Sequence, residues 1–556
     1  MFIRFWQVLL AAVVVSAATP TRSVNRRQNA PSPKFVSTSD GHFSVNGAPL
    51  NFVGTNAYWL PTLNSDDDID KTLASIAAAG VKVVRTWAFN DVETVPQNGT
   101  WFQLISNGTT SVNEGANGLK KLDTVLSLAE KHNLYVMLTL TNNWNPRPLL
   151  EGKNVTSRDI TPGTGNQLPR NTLSNDYGGM DVYVRTFSDP LHDNFYTNQN
   201  ILDKFLNYTT QVVKRYVNSP AVFAWELAND PRCNSTLPST NGCTPQTITR
   251  WHATVAAHIK SVDPNHLVSS GNQGFLCVDC PKLFPPVTPP PPQTSASPGR
   301  RRAIKPLTKR GILEERRLSL KKSRELRKRD GVSGGISIRG RWTSTETRRQ
   351  TGVNLGPSFD GSHGVDSQDI LNIPDIGFGS AQLFPDQATY GPDDPNLSSF
   401  DNIVQQGNQW IQQQAAVGKL LGKPVSMNAF GLVTQSNAPA YVPFNSTQAP
   451  FAPDSGTPTA SAPYGVTDQQ RDQAYTTWLQ TGLQSGLSGM IQYQWSQSGL
   501  TPSVGTNIVP ATGGTTTTPV VPGTGVSPND GYGIQGQGED GAVQTIQQAS
   551  QQFAQD

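Results

Sequence analysis

The residues with chemistry to offer gather in a few short segments. FAWELANDPRC (223–233) carries two carboxylates, Glu226 and Asp230, four positions apart. Alternation along a strand would put both on one side, with Glu226 about 13 Å deeper. At that depth Glu226 reads as a satisfied structural carboxylate, and Asp230 as the group open to acid/base work. Trp59, Trp87, Trp144, Tyr177, Tyr493 and Trp495 fall at or near the ends of apparent strands. Their faces suit stacking on pyranose rings, while Arg85, Asn90 and Asn229 offer hydrogen bonds to hydroxyls. Cys233, Cys243, Cys277 and Cys280 allow three pairings, of which two local pairs, Cys233–Cys243 and Cys277–Cys280, are favoured in an oxidising compartment. The Cys277-x-x-Cys280 step lacks the second pair that a zinc site requires. No G-x-G-x-x-G follows a strand, so neither a metal nor a nucleotide cofactor is expected.

These groups need a scaffold that brings distant segments to one place, and the chain alternates in the way that builds one. Helical stretches at 69–79, 119–132, 201–217 and 247–262 are each followed by a Val-rich strand, at 81–89, 134–140, 221–229 and 266–275. The rhythm resumes with strands at 376–384, 423–431 and 490–495, helices near 400–421 and 469–486, and a closing helix at 542–553. That number of αβ units favours a (β/α)₈ barrel (TIM barrel) over a doubly wound sheet. Asn46-Gly47 marks an N-terminal β-hairpin ahead of it. Residues 35–556 are expected to form this one elaborated domain with long loop inserts. Its Pro-rich and basic insert at 283–362 is expected to be disordered apart from a lone helix near 312–329.

The 556 residues carry a net charge of only +3, which conceals an asymmetry. Residues 300–349 hold 18 Lys/Arg against 5 Asp/Glu, leaving −10 for the remainder. An acidic body with one basic insert is not the footprint of a nucleic-acid-binding domain. The first 18 residues have the layout of a secretory signal, and Arg26-Arg27 within 19–34 marks a pro-segment or a linker. No later run is apolar enough to insert into a membrane. Sequons at Asn98, Asn107, Asn154, Asn207, Asn234, Asn396 and Asn445 suit an extracellular or cell-wall glycoprotein.

Taken together, NFVGTNAYWL (51–60), VVRTWAFND (83–91), NNW (142–144), YGGMDVYV (177–184), FAWELANDPRC (223–233), HLVSSGNQGF (266–275) and NDGYGI (529–534) resemble the fungal endo-β-1,4-mannanases of glycoside hydrolase family 5. The resemblance runs from about Phe35 to the C-terminus, outside inserts near 145–172, 283–362 and 499–527. It implies a (β/α)₈ barrel, no metal, and a retaining mechanism with two carboxyls roughly 5–5.5 Å apart. It also implies a polysaccharide partner, β-mannan or a relative, for a monomeric secreted protein.

The resemblance also exposes departures. Where the family has the acid/base Glu of an Asn-Glu-Pro motif, this chain has Asn229-Asp230-Pro231. The carboxyl is one methylene shorter, and a displacement of about 1 Å can cost about 10²-fold. The nucleophile of the Glu-Phe-Gly motif corresponds to Ala429 in Asn428-Ala429-Phe430-Gly431. The His-x-Tyr that precedes a Pro in the family corresponds to Gln382-Leu383-Phe384-Pro385, and Gln273 stands where a Glu is common. Without a nucleophile no glycosyl-enzyme forms. The expectation is an inactive or impaired barrel with a sugar groove lined by Arg85, Asn90, Trp144, Asn229, Gln382, Phe384 and Trp495. Two alternatives stand beside it: a working retaining mannanase that uses Asp230, and a cell-surface protein acting through the basic insert.

Overall fold

The computed structural model describes residues 35–146, 149–150, 153–154, 170–286, 308–330, 355–451, 464–501, 509–510, 524–535 and 541–555. The chain divides into Met1–Pro33 and Lys34–Asp556. The expected signal and pro-segment, and most of the 283–362 insert, lie outside the described residues.

Eight parallel strands form the central sheet: β1 (Phe52–Asn56), β2 (Val83–Trp87), β3 (Tyr135–Thr139), β4 (Val222–Glu226), β5 (Leu267–Ser269), β6 (Gly379–Leu383), β7 (Val425–Phe430) and β8 (Gly489–Gln492). Each strand pairs with its neighbour in sequence, and β8 pairs with β1 (Gly489↔Phe52 through Gln492↔Thr55). The seam between β5 and β6 has one β-bridge, Ser269↔Phe378, with flanking bonds from Gly377 N–H to the Val268 carbonyl and Gln382 N–H to the Gln273 carbonyl. This is the (β/α)₈ barrel that the sequence rhythm predicts. All residues of β1, β2, β4, β6, β7 and β8 are buried, as expected for strands covered on both faces.

Helices α1 (Asp66–Ala78), α2 (Leu119–Lys131), α3 (Gln199–Tyr216), α4 (Pro245–Val262), α5 (Lys309–Asp330), α6 (Ser399–Leu421), α7 (Asp468–Ser485) and α8 (Gly541–Phe553) follow the strands. Their ends are written locally. Ser65 caps α1 by accepting from the Asp68 N–H, with Asp66, Asp67 and Asp68 at the positive end of the helix dipole. Thr467 and Gln470 form a capping box for α7. Ile69, Leu73 and Ile76 give α1 the apolar stripe that packs on the sheet.

The N-terminal hairpin turns at Asn46-Gly47, both with positive φ, as a two-residue turn between right-twisted strands requires. It places Phe43 against Phe52, Phe223 and Phe378, with ring centroids 5.8, 5.2 and 5.0 Å away. These four rings plug the end of the barrel opposite the mouth.

The insert departs from expectation where it is described. Helix α5 is rooted on the barrel and not free. Ile312 is buried, and Arg316 lies 4.8 Å from the Phe359 ring centroid and donates to the carbonyls of Leu355 and Tyr390. An amphipathic first two turns, Ile312-Leu313 and Arg316, explains the docking; composition alone hid it beneath the surrounding charge.

Because Phe43 is fully enclosed by three rings, Phe43→Ala should cost about 3–5 kcal/mol of stability. Urea unfolding of both proteins measures this, and a loss under 1 kcal/mol would refute the role of the plug.

Candidate active site

Sequence placed the chemistry at the C-terminal ends of the strands, where barrels of this kind build their sites. At the heart of the mouth lies the Glu226 carboxylate, at the end of β4. Arg85 of β2 donates to it through Nε (3.0 Å to Oε1) and Nη2. Thr139 of β3 donates to Oε1 at 2.8 Å, and Asn428 of β7 to Oε2 at 2.5 Å. The Arg85 guanidinium also reaches Asn56 Oδ1 of β1 (3.0 Å) and Asn229 Oδ1 (2.9 Å). Gln382 of β6 donates to the same Asn229 oxygen at 3.1 Å. Glu226 is a satisfied carboxylate as expected, but β4 ends at it, so it lies within reach of the same guanidinium as Asn229 and not four strand residues below Asp230.

Asp230 sits just beyond, at a positive φ of 56°, a conformation that Asp tolerates better than most residues. The opposing turn carries Gly271, where a Cβ would meet the Ala228 carbonyl oxygen at 1.8 Å, so only glycine fits. Both Asp230 oxygens are taken. Arg232 donates to Oδ1 (3.0 Å) and Oδ2 (2.5 Å), and Trp144 Nε1 to Oδ2 (2.7 Å). The guanidinium is held between the rings of Trp144 and Phe275, 5.3 and 5.0 Å away. Burial raises the Asp230 carboxyl above its ordinary range, and the Arg232 charge opposes that shift without cancelling it.

The position expected to hold the nucleophile is a bulge. In register, Ala381 pairs with Met427 and Gln382 with Ala429, so Asn428 is the extra residue. Such a bulge re-aims a side chain, and here it turns Asn428 onto Glu226. Ala429 is buried and carries no acid. On the far side of Gly431 lie Phe384, Tyr493 and Tyr532, whose ring centroids are 5.2–5.6 Å apart. Phe444 closes on this group 5.0 Å from Phe384.

The seven residues expected to line a sugar groove divide clearly. Arg85, Gln382, Phe384 and Trp495 are buried, with their polar atoms or ring faces turned to protein. Asn90 is also buried, bonded to the Thr100 carbonyl and Asn171. Trp144 and Asn229 keep partial exposure at the mouth. Cys233–Cys243 and Cys277–Cys280 are both disulfides. Among the described residues no His/Cys/Asp/Glu cluster is arranged to hold a metal.

Two features were missed from sequence. Arg232 stands two residues from Asp230, past a Pro that turns the chain back, and that spacing was the available signal for the ion pair. Asp530, within NDGYGI, accepts from Ser174 (2.7 Å) and the Tyr493 hydroxyl (2.8 Å). Burial pushes its carboxyl up to about 6. Asp386, whose place the sequence did not fix, accepts from the Val433 N–H at 3.0 Å. Its carboxyl is likewise pushed up, to about 7, by burial, although the residue keeps some exposed edge.

Fold and mouth together define a (β/α)₈ barrel whose candidate site lies at the C-terminal ends of its strands. Residues 33–287 match the model of the family described as GH family 5 beta-mannosidase-like. Mannan endo-1,4-beta-mannosidase A of Aspergillus aculeatus is 38% identical over 278 residues, 50% of this chain and 63% of that protein. Mannan endo-1,4-beta-mannosidase F of Aspergillus clavatus is 38% identical over 255 residues, 45% of this chain and 50% of that protein. The matched stretch thus spans between half and two thirds of these relatives. The solved endo-1,4-beta-mannanase of Rhizomucor miehei superposes with a TM-score of 0.58 at 23% identity, covering 94% of this chain and 100% of that one. The endo-1,4-beta-D-mannanase of Thermotoga petrophila RKU-1 gives 0.53 at 21%, covering 90% and 100%. These two likenesses bear on the fold alone, and they agree with the barrel described above.

The raised carboxyls carry a pH consequence. A group whose folded pKa exceeds its unfolded value of about 3.9 binds its proton more tightly in the folded state. Stability should therefore fall as pH rises from 5 to 7.5, through the range where Asp530 and Asp386 ionise. Thermal midpoints across that range should flatten in Asp530→Asn; an unchanged slope would show that Asp530 does not titrate there.

Proposed function

We propose that this chain is a secreted, monomeric mannanase-like protein that has lost glycoside hydrolysis and keeps β-mannan or a related wall polysaccharide as a ligand. The observation that carries the loss is the state of its two key positions. Ala429 supplies no nucleophile, and both Asp230 oxygens are engaged by Arg232 and Trp144, so neither is presented to a leaving oxygen. The ligand class rests on the names of the matched relatives and on Trp144, a partly exposed ring at the mouth. Extracellular residence is supported by the N-terminal signal pattern. The exposure of Asn98, Asn107, Asn207, Asn234, Asn396 and Asn445 suits their use as glycosylation sites.

The test is mannan hydrolysis beside mannan binding. Wild type should release reducing ends at background, and Asp230→Asn should change nothing. Ala429→Glu alone should also stay at background, because Phe384 and Gln382 do not support the new carboxylate and Asp230 remains short. The joint change Asp230→Glu, Ala429→Glu, Gln382→His, Phe384→Tyr is the fair attempt at rescue, since members of one catalytic unit act non-additively. Trp144→Ala should weaken mannan retention on an affinity gel by roughly tenfold. Wild-type turnover of about 1 s⁻¹ or more, abolished by Asp230→Asn, would overturn the reading of a lost activity. No mannan retention at all would remove the ligand and leave the rest standing.

A further inference from the structure

Helix α5 presents a second surface, remote in chemistry from the mouth. Its 22 residues contain ten Lys/Arg and four Asp/Glu. Arg310, Arg317, Lys321, Arg324 and Lys328 recur at steps of seven, four, three and four, register positions along one face; Glu314 shares that face in the seven-residue gap and Glu325 borders it, so the continuous cationic part runs from Arg317 to Lys328. At 1.5 Å per residue the row as a whole is about 27 Å long, with roughly one cation per turn over its last three steps. Arg310, Arg317 and Lys321 are exposed. The row is not a loose tail, because Ile312 and Arg316 fasten the root of the helix to Phe359 and the Tyr390 carbonyl. The segment around Phe359 is bonded in turn to the loop after β5 (Leu276 and Val278), and Ser358 to the loop after β6 (Thr389). The arm therefore springs from the same face of the barrel as the mouth.

We propose that α5 is a binding arm for an anionic polysaccharide, a chain bearing carboxylate or ester-linked acidic groups at regular intervals. A regular row of cations meets a regular row of anions with little reorganisation of either partner. The charge of the rest of the protein narrows the choice of partner. With −10 outside residues 300–349, the body repels a broad anionic surface, and a thin chain can engage the arm alone. Single-stranded nucleic acid is thin as well, but it is gripped by aromatic stacking, and α5 contains no aromatic residue. A membrane surface calls for a continuous apolar face on the helix. Here Ile312 is spent on the barrel, and Leu318, 61% exposed, projects on a side of the helix away from it. The proposal is independent of whether the mouth holds mannan.

The experiment uses the full chain, verified as uncut by intact mass because Lys309-Arg310 and Lys328-Arg329 are dibasic pairs within the arm. Polygalacturonate is the probe, with neutral mannan, a single-stranded oligonucleotide and anionic phospholipid vesicles beside it. Binding to polygalacturonate should be measurable at low salt and should weaken steeply between 50 and 300 mM NaCl, as the Debye length shortens below about 10 Å. The variant Arg317→Gln, Lys321→Gln, Arg324→Gln, Lys328→Gln keeps good helix formers and leaves the root intact. It should lose at least tenfold in affinity for polygalacturonate while its mannan retention and thermal midpoint stay unchanged. Arg317→Lys with Arg324→Lys should retain binding, since charge and not guanidinium geometry is at issue. Equal binding by wild type and the four-Gln variant would overturn the proposal. Tighter binding to the oligonucleotide or the vesicles than to polygalacturonate would overturn it as well.

Discussion

The buried Arg85–Glu226 pair is the interaction on which the mouth of this barrel depends. With its immediate partners it joins β1 through Asn56, β2 through Arg85, β3 through Thr139, β4 through Glu226 and β7 through Asn428. Gln382 of β6 joins through Asn229. Six strands are thus registered on one ion pair. A buried pair is weak evidence of net stabilisation, yet removing one partner strands the other charge and typically costs about 3–5 kcal/mol. The pair therefore constrains what the surrounding positions can become. Asn428 must donate, Asn229 must accept, and both do so toward the interior.

That constraint gives the departures from the family pattern a common form. The charges at the mouth are used up in two internal pairs, Arg85 with Glu226 and Arg232 with Asp230. A third carboxylate at position 429 would have no cation left to face among the groups that surround Gln382, Phe384 and Tyr493. With Ala429 in place the region is largely aromatic, with the Asp530 carboxyl bonded to the Tyr493 hydroxyl, and it packs as a core does. The side chain that the bulge at Asn428 presents belongs to the scaffold, since it donates to Glu226.

Much of this was legible in the sequence. The alternation of Val-rich strands with amphipathic helices predicted the barrel and its order, and Asn46-Gly47 predicted the hairpin; the pattern ran the fourth strand on to Asn229, whereas it ends at Glu226 and leaves that carboxylate at the mouth. What the sequence concealed was long-range enclosure. Arg85 and Asn90 have polar types suited to hydroxyls, but Asn56, Glu226 and Asn229 claim the first, and Thr100 and Asn171 claim the second. Those partners lie up to 144 residues away along the chain, and no local pattern announces them. The rooting of α5 was hidden for a related reason. Two apolar residues and one arginine do the docking inside a segment whose composition is dominated by exposed charge.

The seam between β5 and β6 has a consequence of another kind. Every other junction of the sheet is a ladder of several paired residues, whereas this one has a single β-bridge and a few irregular hydrogen bonds, and it is here that the long insert interrupts the chain. The barrel is thereby divisible. Its first five strands and last three are stitched on the opposite side by the full β8–β1 ladder, which does not depend on the peptide connection across the seam. In terms of chain connectivity, the insert between β5 and β6 is a natural place for new termini. A circular permutant opened there, or two polypeptides produced separately, would have the same hydrogen-bonded neighbours as the continuous chain.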